Sequence, residues 1–470
     1  MTYYFYDLET SGRDPINQRI MQFAGQRTDE ELNLLGDPLV LYVKLTDEVL
    51  PEPEAIMLTG ITPQKTISDG VSEAEFIGLF DEEVVSNTCF VGFNNIRFDD
   101  EFMRFTMWRN FYDPYQWQWK NDCYRWDLID VARMTRALRP EGIEWPFTQD
   151  GKESNRLEEL TEVNQLEHGN AHDALSDVMA TIELAKLIKQ KQPKIFDFLQ
   201  KMSKKDSVIK FIEENPLFVH TSGRISGDFS KTSIFTKIAI NPDRKGEYLL
   251  YDLRFNPEEF LDLSEDQLRD RWYVSNADLG KKTRLPVKGL KANKCPAIAP
   301  LGVLDELARE RIRLNPKTAT SNLKILAKNK DLVKKITKIW LSRESFSEKD
   351  QTNDVDGSLY NGFLSNKDAL VISSVRKQTK KTIRDFRPKF NDNRLDELFF
   401  RYKARNFSSS LTSMEREKWN QFRRERLFSG DVLSQYGRKI QEITNNMKDK
   451  SSEYLLEELR LYVESILPED

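Results

Sequence analysis

An α/β fold opening the chain, an α+β segment after it and a helical C-terminal part are what this sequence predicts. Three observations carry that reading. Short strand-like runs alternate with helical ones up to about residue 193, and strand-like and helical runs mix from 194 to 350. Residues 351–470 are dominated by charged, helix-favouring residues, with apolar ones such as Leu395, Leu398 and Phe399 at three- and four-residue spacings. A chain of 470 residues is too long for one comfortable core, so two or three domains are expected, and the pattern divides it at 1–193, 194–350 and 351–470.

The elements follow in order. Tyr3 to Leu8 is an aromatic-rich strand ending in the turn signal Glu9-Thr10-Ser11-Gly12. Ile20 to Arg27 and Leu39 to Leu45 supply two more strands, with Gly36-Asp37-Pro38 expected as the turn between them. Cys89 to Phe93 is a buried strand candidate, followed by a polar loop and a helix from about Asp100. Ala174 to Lys189 carries Leu175, Val178, Met179, Ile182 and Ala185 at helical spacing, and Gln192-Pro193 ends that helix at a domain edge. Tyr248 to Leu253 is strand-like, and Ser342 to Ser358 reads as a linker.

Composition bounds the function. Hydrophobic residues make up 39% and charged ones 31%, as in a globular protein, and no apolar run is long enough to span a bilayer. The opening Met1-Thr2-Tyr3-Tyr4-Phe5 lacks the basic leader and long apolar stretch of a secretion signal, and three scattered cysteines indicate neither a disulfide framework nor a zinc knuckle. A reduced cytoplasmic enzyme without membrane contact is expected. The net charge of −5 hides an asymmetry: residues 1–200 carry −17, residues 201–350 carry +9 and residues 351–470 carry +3. An acidic module joined to a basic one suits a metal-using catalytic domain beside a polyanion-holding one; solvated surfaces of unequal charge would read the same way.

Four acidic positions and a histidine form a set. Asp7 and Glu9 stand two apart at the end of the first strand, so both side chains leave the same face. Carboxylates held side by side repel unless a proton or cation lies between them. In Asn94-Asn95-Ile96-Arg97-Phe98-Asp99-Asp100 an acid leaves a strand end at a helix start; the aromatic before Asp99 favours it as the functional group and leaves Asp100 as a helix cap. His172 precedes Asp177 by five positions, and His168 precedes Asp173 by the same interval, so spacing does not choose between the pairs. Ala171-His172-Asp173-Ala174 runs directly into the helix of Asp177, whereas His168 sits in a turn-like Glu-His-Gly-Asn, which favours His172.

Taken together, Asp7, Glu9, Asp99, His172 and Asp177 resemble the DEDDh exonuclease superfamily. Asp7-Leu8-Glu9-Thr10, Leu58-Thr59-Gly60-Ile61-Thr62-Pro63-Gln64, Arg125-Trp126-Asp127-Leu128 and Asn170-Ala171-His172-Asp173-Ala174 look like bacterial exonuclease I. Asn293-Lys294-Cys295-Pro296, Leu359-Tyr360-Asn361-Gly362-Phe363 and the segment 400–407 extend that likeness over nearly the whole chain. The resemblance implies an RNase H-like DEDD exonuclease domain, an SH3-like α+β domain and a helical domain around a DNA groove. It also implies stepwise removal of nucleoside 5′-monophosphates from the 3′ end of single-stranded DNA in DNA repair, a monomer, and a single-stranded DNA-binding protein as partner.

For the chemistry, oxygen ligands suit two magnesium ions, with manganese as a substitute. Asp7, Glu9 and Asp177 are the principal expected ligands, Asp99 is a further one, and His172 is the expected proton acceptor. Substrate grip is expected from Glu9 and Thr10 at the terminal nucleotide, and from Arg104, Tyr115 and Trp119 in the aromatic, basic segment 104–126. Arg133 and Arg156 are expected on phosphates, and the basic run Lys281 to Lys294 along the groove. For any one of those aromatics a place in the core is as fair a reading as a base contact. An exoribonuclease of the same superfamily and a nonenzymatic DNA-end binder are the competing functions.

Overall fold

The computed structural model describes residues 1–166, 169, 173–342, 354–447 and 452–468. The chain begins with three antiparallel strands, β1 (Thr2–Thr10), β2 (Ile20–Thr28) and β3 (Leu34–Tyr42). Helices α1 (Pro53–Thr59), α2 (Pro63–Asp69) and α3 (Glu73–Glu82) follow, then β4 (Thr88–Gly92), α4 (Asp99–Arg109), β5 (Tyr124–Asp127) and α5 (Leu128–Leu138). Strands β4 and β5 join in parallel, and the sheet order is β3-β2-β1-β4-β5. Helices α6 (Leu157–Val163) and α7 (Ala174–Lys191) complete the unit.

The period-2 alternation of β1 decides which residues meet. Tyr4, Tyr6 and Leu8 pack with Phe23, Phe76, Phe80, Phe90 and Phe102 on one face. Tyr3 and Phe5 pack on the other, in the core that contains Val178, Ile182 and Ala185 of α7. Asp7 and Glu9 continue this second face, so the strand delivers them beneath the N-terminal turn of α7. The helix starts where Asp173 caps it, accepting from Ser176 N at 3.2 Å.

Two expected loops have a different form. Gly36-Asp37-Pro38 is not a turn but lies inside β3, and the β2–β3 turn is built at Asp29, whose Oδ1 accepts from Glu31 N and Asn33 N at 2.9 and 2.8 Å. Pro38 is tolerated because β3 is an edge strand. Gly36 adopts φ +70° opposite a register shift at Gly25/Arg27, and Gln26 Nε2 donates to its carbonyl at 3.3 Å. The expected linker Ser342 to Ser358 extends too far. Residues 343–353 lie outside the described residues, but Asp356, Gly357, Ser358 and Leu359 are buried, and Trp108 Nε1 donates to Val355 O at 2.8 Å.

After α7, Pro193 opens α8 (Pro193–Lys201) at once, and α9 (Lys205–Glu214) leads into a second sheet. Its strands β6 (Phe218–Thr221), β7 (Thr232–Ile240), β8 (Glu247–Asp252), β9 (Val287–Lys291) and β10 (Ala297–Pro300) pair antiparallel in the order β10-β6-β7-β8-β9. Val208 and Ile212 of α9 pack beneath it with Phe218, Tyr248, Leu250 and Ile298. From Asp354 onward the regular elements among the described residues are helices, with Leu395 and Leu398 of Arg394–Asn406 fully buried. Among the described residues no helix is long and apolar enough to cross a membrane.

Candidate active site

Asp7, Glu9 and Asp177 offer carboxylate oxygens that all lie within 4.8 Å of one another. Gln22, paired across the sheet with Glu9, fixes the approach of α7. Its Nε2 donates to Asp173 Oδ1 at 2.9 Å and its Oε1 accepts from Ala174 N at 3.2 Å. Asp173 is therefore occupied with capping and with Gln22, while Asp177, one turn on, faces the strand carboxylates.

Asp99 starts α4 and is buried, and its charge acts on Asp7. Burial is the largest influence on Asp7, Glu9 and Asp99. Glu9 is pushed up to about 8 by burial and by the charges of Asp177 and Asp173. Asp99 is pushed up to about 8 by burial and by Glu9 and Asp127, eased by backbone hydrogen bonds. Asp7 is raised well above the carboxylate range by burial, then by Asp99, Asp177 and Glu9. Such crowding of hard oxygen donors is relieved by a divalent cation, and the donor set fits magnesium or manganese.

The reading of Asp100 as a helix cap is not met: it does not cap α4. It is fully buried, takes the Tyr6 hydroxyl at 2.5 Å and pairs with Arg125. Phe98 occupies the cap position without a side-chain hydrogen bond. His168 and His172 lie outside the described residues. His220 is buried in β6 with Nδ1 2.9 Å from Ala297 O, and burial together with Lys288 keeps it neutral.

A cleft of ≈ 530 Å³ opens beside the carboxylates. Asp7 and Asp177 line it together with Arg133 and Arg156, the two arginines expected on phosphates. Arg156 is exposed, and Arg133 is held by Asp130 at 2.7 Å. Lys231, just before β7, lines the same cleft and was not singled out from sequence; its signal was the Gly/Ser-rich, basic stretch 222–231. Thr10 is buried and turned to Gly12 O at 2.7 Å.

Arg104, Tyr115 and Trp119 do not line that cleft. Arg104 pairs with Glu101 at 2.5 Å and lies over the Tyr115 ring at 5.5 Å. Glu101 also takes Lys294 at 3.6 Å and the Tyr360 hydroxyl, so residues from all three parts of the chain meet there. Trp119 is 62% exposed, whereas Trp108, Phe111, Trp117, Tyr124 and Trp126 are core residues. The basic run Lys281 to Lys294 is split: Lys281 and Lys282 are exposed, and Lys288 and Lys294 are half-buried at the seam with the first domain.

The family description Exonuclease matches residues 4–185, Exonuclease I SH3-like domain matches 203–342, and Exonuclease I C-terminal domain matches 353–466. The chain is 39% identical over 470 residues to exodeoxyribonuclease I of Escherichia coli (strain K12), covering 99% of this chain and 98% of that protein. The chain belongs to the exonuclease I family. Another member, exodeoxyribonuclease I of Haemophilus influenzae, is 37% identical over 460 residues, 97% of this chain and 96% of that one. Among solved exonuclease I structures, the E. coli protein in complex with a dA16 oligonucleotide aligns at a TM-score of 0.95 with 39% identity, covering 99% of both chains. A zinc ion bound form of the E. coli exonuclease I–ssDNA complex aligns at 0.93 with 38% identity over 99% of both.

Proposed function

We propose that this chain grips single-stranded DNA in the cleft beside Asp7 and Asp177 and removes nucleotides one at a time from its 3′ end. It is an exodeoxyribonuclease, as its family membership implies. The observation that carries the site assignment is the meeting of Asp7, Glu9 and Asp177 within 4.8 Å, at the floor of a cleft with Arg133 and Arg156 in its wall.

In this reading Asp7, Glu9 and Asp177 hold two magnesium ions, with Asp99 behind them. When bound, the ions supply charge neutralisation at phosphorus and ease deprotonation of the attacking water. Arg133, Arg156 and Lys231 hold the strand's phosphates, keeping the scissile one in register with the carboxylates. His172 accepts the proton of the attacking water. The P–O3′ bond breaks, leaving a 3′-hydroxyl on the shortened strand and releasing a nucleoside 5′-monophosphate. Exposed Trp119 and half-buried Tyr115 offer faces on which bases of any kind stack. The boundaries 1–193, 194–350 and 351–470, the monomeric state, the cytoplasmic location and a single-stranded DNA-binding protein as partner rest on the sequence reading and the family resemblance.

The test uses 5′-labelled single-stranded DNA and RNA of one sequence with magnesium, with and without EDTA, for wild type and Asp7→Ala. A descending ladder on DNA, lost with EDTA and with the substitution, is expected. Equal or better cutting of RNA would favour the exoribonuclease, and binding without cutting would favour the DNA-end binder.

A further inference from the structure

Three acids open α4, and each goes a different way. Asp99 turns to the carboxylates, where the backbone of Leu8, between Asp7 and Glu9, steadies its charge. Glu101 turns to Arg104 and Lys294. Asp100 turns to Tyr6, whose ring leaves the other face of β1, and it meets no solvent. Its Oδ1 accepts from the Tyr6 hydroxyl at 2.5 Å and its Oδ2 from Arg125 Nη1. Charge-assisted bonds of this kind, out of water, hold their partners firmly.

The start of α4 has no side-chain cap: Phe98 stands there with φ −126° and ψ −73° and accepts nothing. A first turn left uncapped needs another restraint. Asp100 supplies it, because its bond to Tyr6 joins the residue after Asp99 to the residue before Asp7. Both partners of Asp100 are fixed in turn. The buried Tyr6 ring stacks on Phe23 at 6.4 Å and stands edge-on to Trp117 at 6.1 Å. Arg125, in β5, gives Nη2 to Asn293 O at 2.9 Å, and its carbonyl takes Cys295 Sγ at 3.0 Å. The second domain thereby takes part in the clamp. Tyr6, Asp100 and Arg125 do not line the cleft.

We propose that Asp100, held by Tyr6 and Arg125, is a positioning residue for cleavage: it fixes the first turn of α4 so that Asp99 and Asp7 face one metal site. The inference rests on the reading of Asp7, Glu9, Asp177 and Asp99 as metal ligands, and adds to it three residues that touch neither metal nor strand. Removing a partner that stands behind a ligand costs about 10–100-fold in metal affinity or activity. Misplacing a reacting group costs rate rather than substrate affinity.

The test compares wild type, Tyr6→Phe, Asp100→Asn and Arg125→Lys, with Asp99→Asn as a control. Each folded protein is read twice: by steady-state cleavage of a single-stranded oligonucleotide, and by calorimetry of manganese binding without DNA. Tyr6→Phe deletes one hydroxyl and leaves the ring packed, so it keeps the proposal testable if Asp100→Asn fails to fold. It should lower kcat about tenfold with KM kept within about twofold, and weaken manganese binding about tenfold. Asp100→Asn should lower kcat about a hundredfold, and Arg125→Lys, which keeps a cation beside Asp100, should fall between it and wild type. A lower thermal midpoint with wild-type kcat and manganese affinity in the folded variants would mark a merely structural role and overturn the proposal. A loss carried by KM alone would overturn it as well. Wild-type activity of Asp99→Asn would instead sink the reading of the ligands on which it rests.

Discussion

Arg405, on the helix Arg394–Asn406, holds Glu48 of the first domain at 2.8 Å, and neither side chain reaches solvent. Glu48 takes Arg19 as well, at 3.1 Å, and Arg405 also binds Asp356 at 2.6 Å. Arg109 and Arg19 share Glu73 at 2.9 and 3.7 Å. The same arginines donate to the backbone of the loop after β1: Arg19 to Ile16 O at 3.1 Å and Arg109 to Pro15 O at 3.2 Å. A buried chain of alternating charge thus ties the helical part to the segment that leaves the site.

Arg405→Met leaves Glu48 and Asp356 short of their shared partner inside the protein. We expect it to cost about 3–5 kcal/mol, read by urea unfolding, with part recovered by adding Glu48→Gln. A loss below about 1 kcal/mol would show that the buried pair does not hold these domains together.

Acid should release the same link. Burial works against the Glu48 charge, but Arg405 and Arg19 overcome it and hold the carboxyl at about 2 instead of 4.5. A folded pKa below the unfolded one contributes stability that is complete above about pH 5 and is lost as pH falls toward about 2. The thermal midpoint should fall across that window, and less steeply in Glu48→Gln. A wild-type midpoint that stayed level there would contradict the assignment.

The clustered acids of the candidate site have the opposite sign. Glu9 and Asp99 are both raised to about 8, so without metal each becomes destabilising as pH rises from about 4.5 toward 8. In EDTA, Asp7→Asn and Glu9→Gln should raise the thermal midpoint by a few degrees. Magnesium should raise that of wild type and have little effect on either variant. Calorimetry in which magnesium stabilises Asp7→Asn as much as wild type would remove Asp7 from the metal site.

Asp173 and Asp177 should separate cleanly. Asp173→Ala removes a helix cap and should cost about 1 kcal/mol while cleavage persists. Asp177→Asn should lower kcat by about a thousandfold or more with stability kept. His172→Ala should cripple turnover and His168→Ala should matter little; the reverse outcome would exchange the two pairs.

Trp119 and Trp117 differ by two positions and by their surroundings, at 62% and 2% exposure. Trp119→Ala should weaken strand binding by about 1–3 kcal/mol without loss of fold. Trp117→Ala should destabilise the protein by about 3–5 kcal/mol. Equal strand affinity of wild type and Trp119→Ala would rule out stacking there.

Much of this was legible because it rests on local periodicity and short motifs. The alternation of β1 puts Asp7 and Glu9 on one face, and the helix of Asp177 follows from apolar spacing and an acidic cap. Errors fell where local signals were ambiguous. Gly36-Asp37-Pro38 has turn chemistry, yet an edge strand absorbs it as an irregularity, while Asp29 makes the real turn. Asp100 looked like a cap because sequence does not reveal that Tyr6 and Arg125 converge on it.

By itself the sequence determined the fold class, the carboxylate set and the division into an acidic and a basic module, since each is written in residue type and near-neighbour spacing. Only the tertiary structure decided how closely those acids approach one another and which of many aromatics face solvent. It alone revealed that Lys231 shares a cleft with Arg133 and Arg156 and that Arg405 reaches Glu48. Those relations join residues far apart in the chain, and their strength comes from burial and distance, which no local pattern encodes.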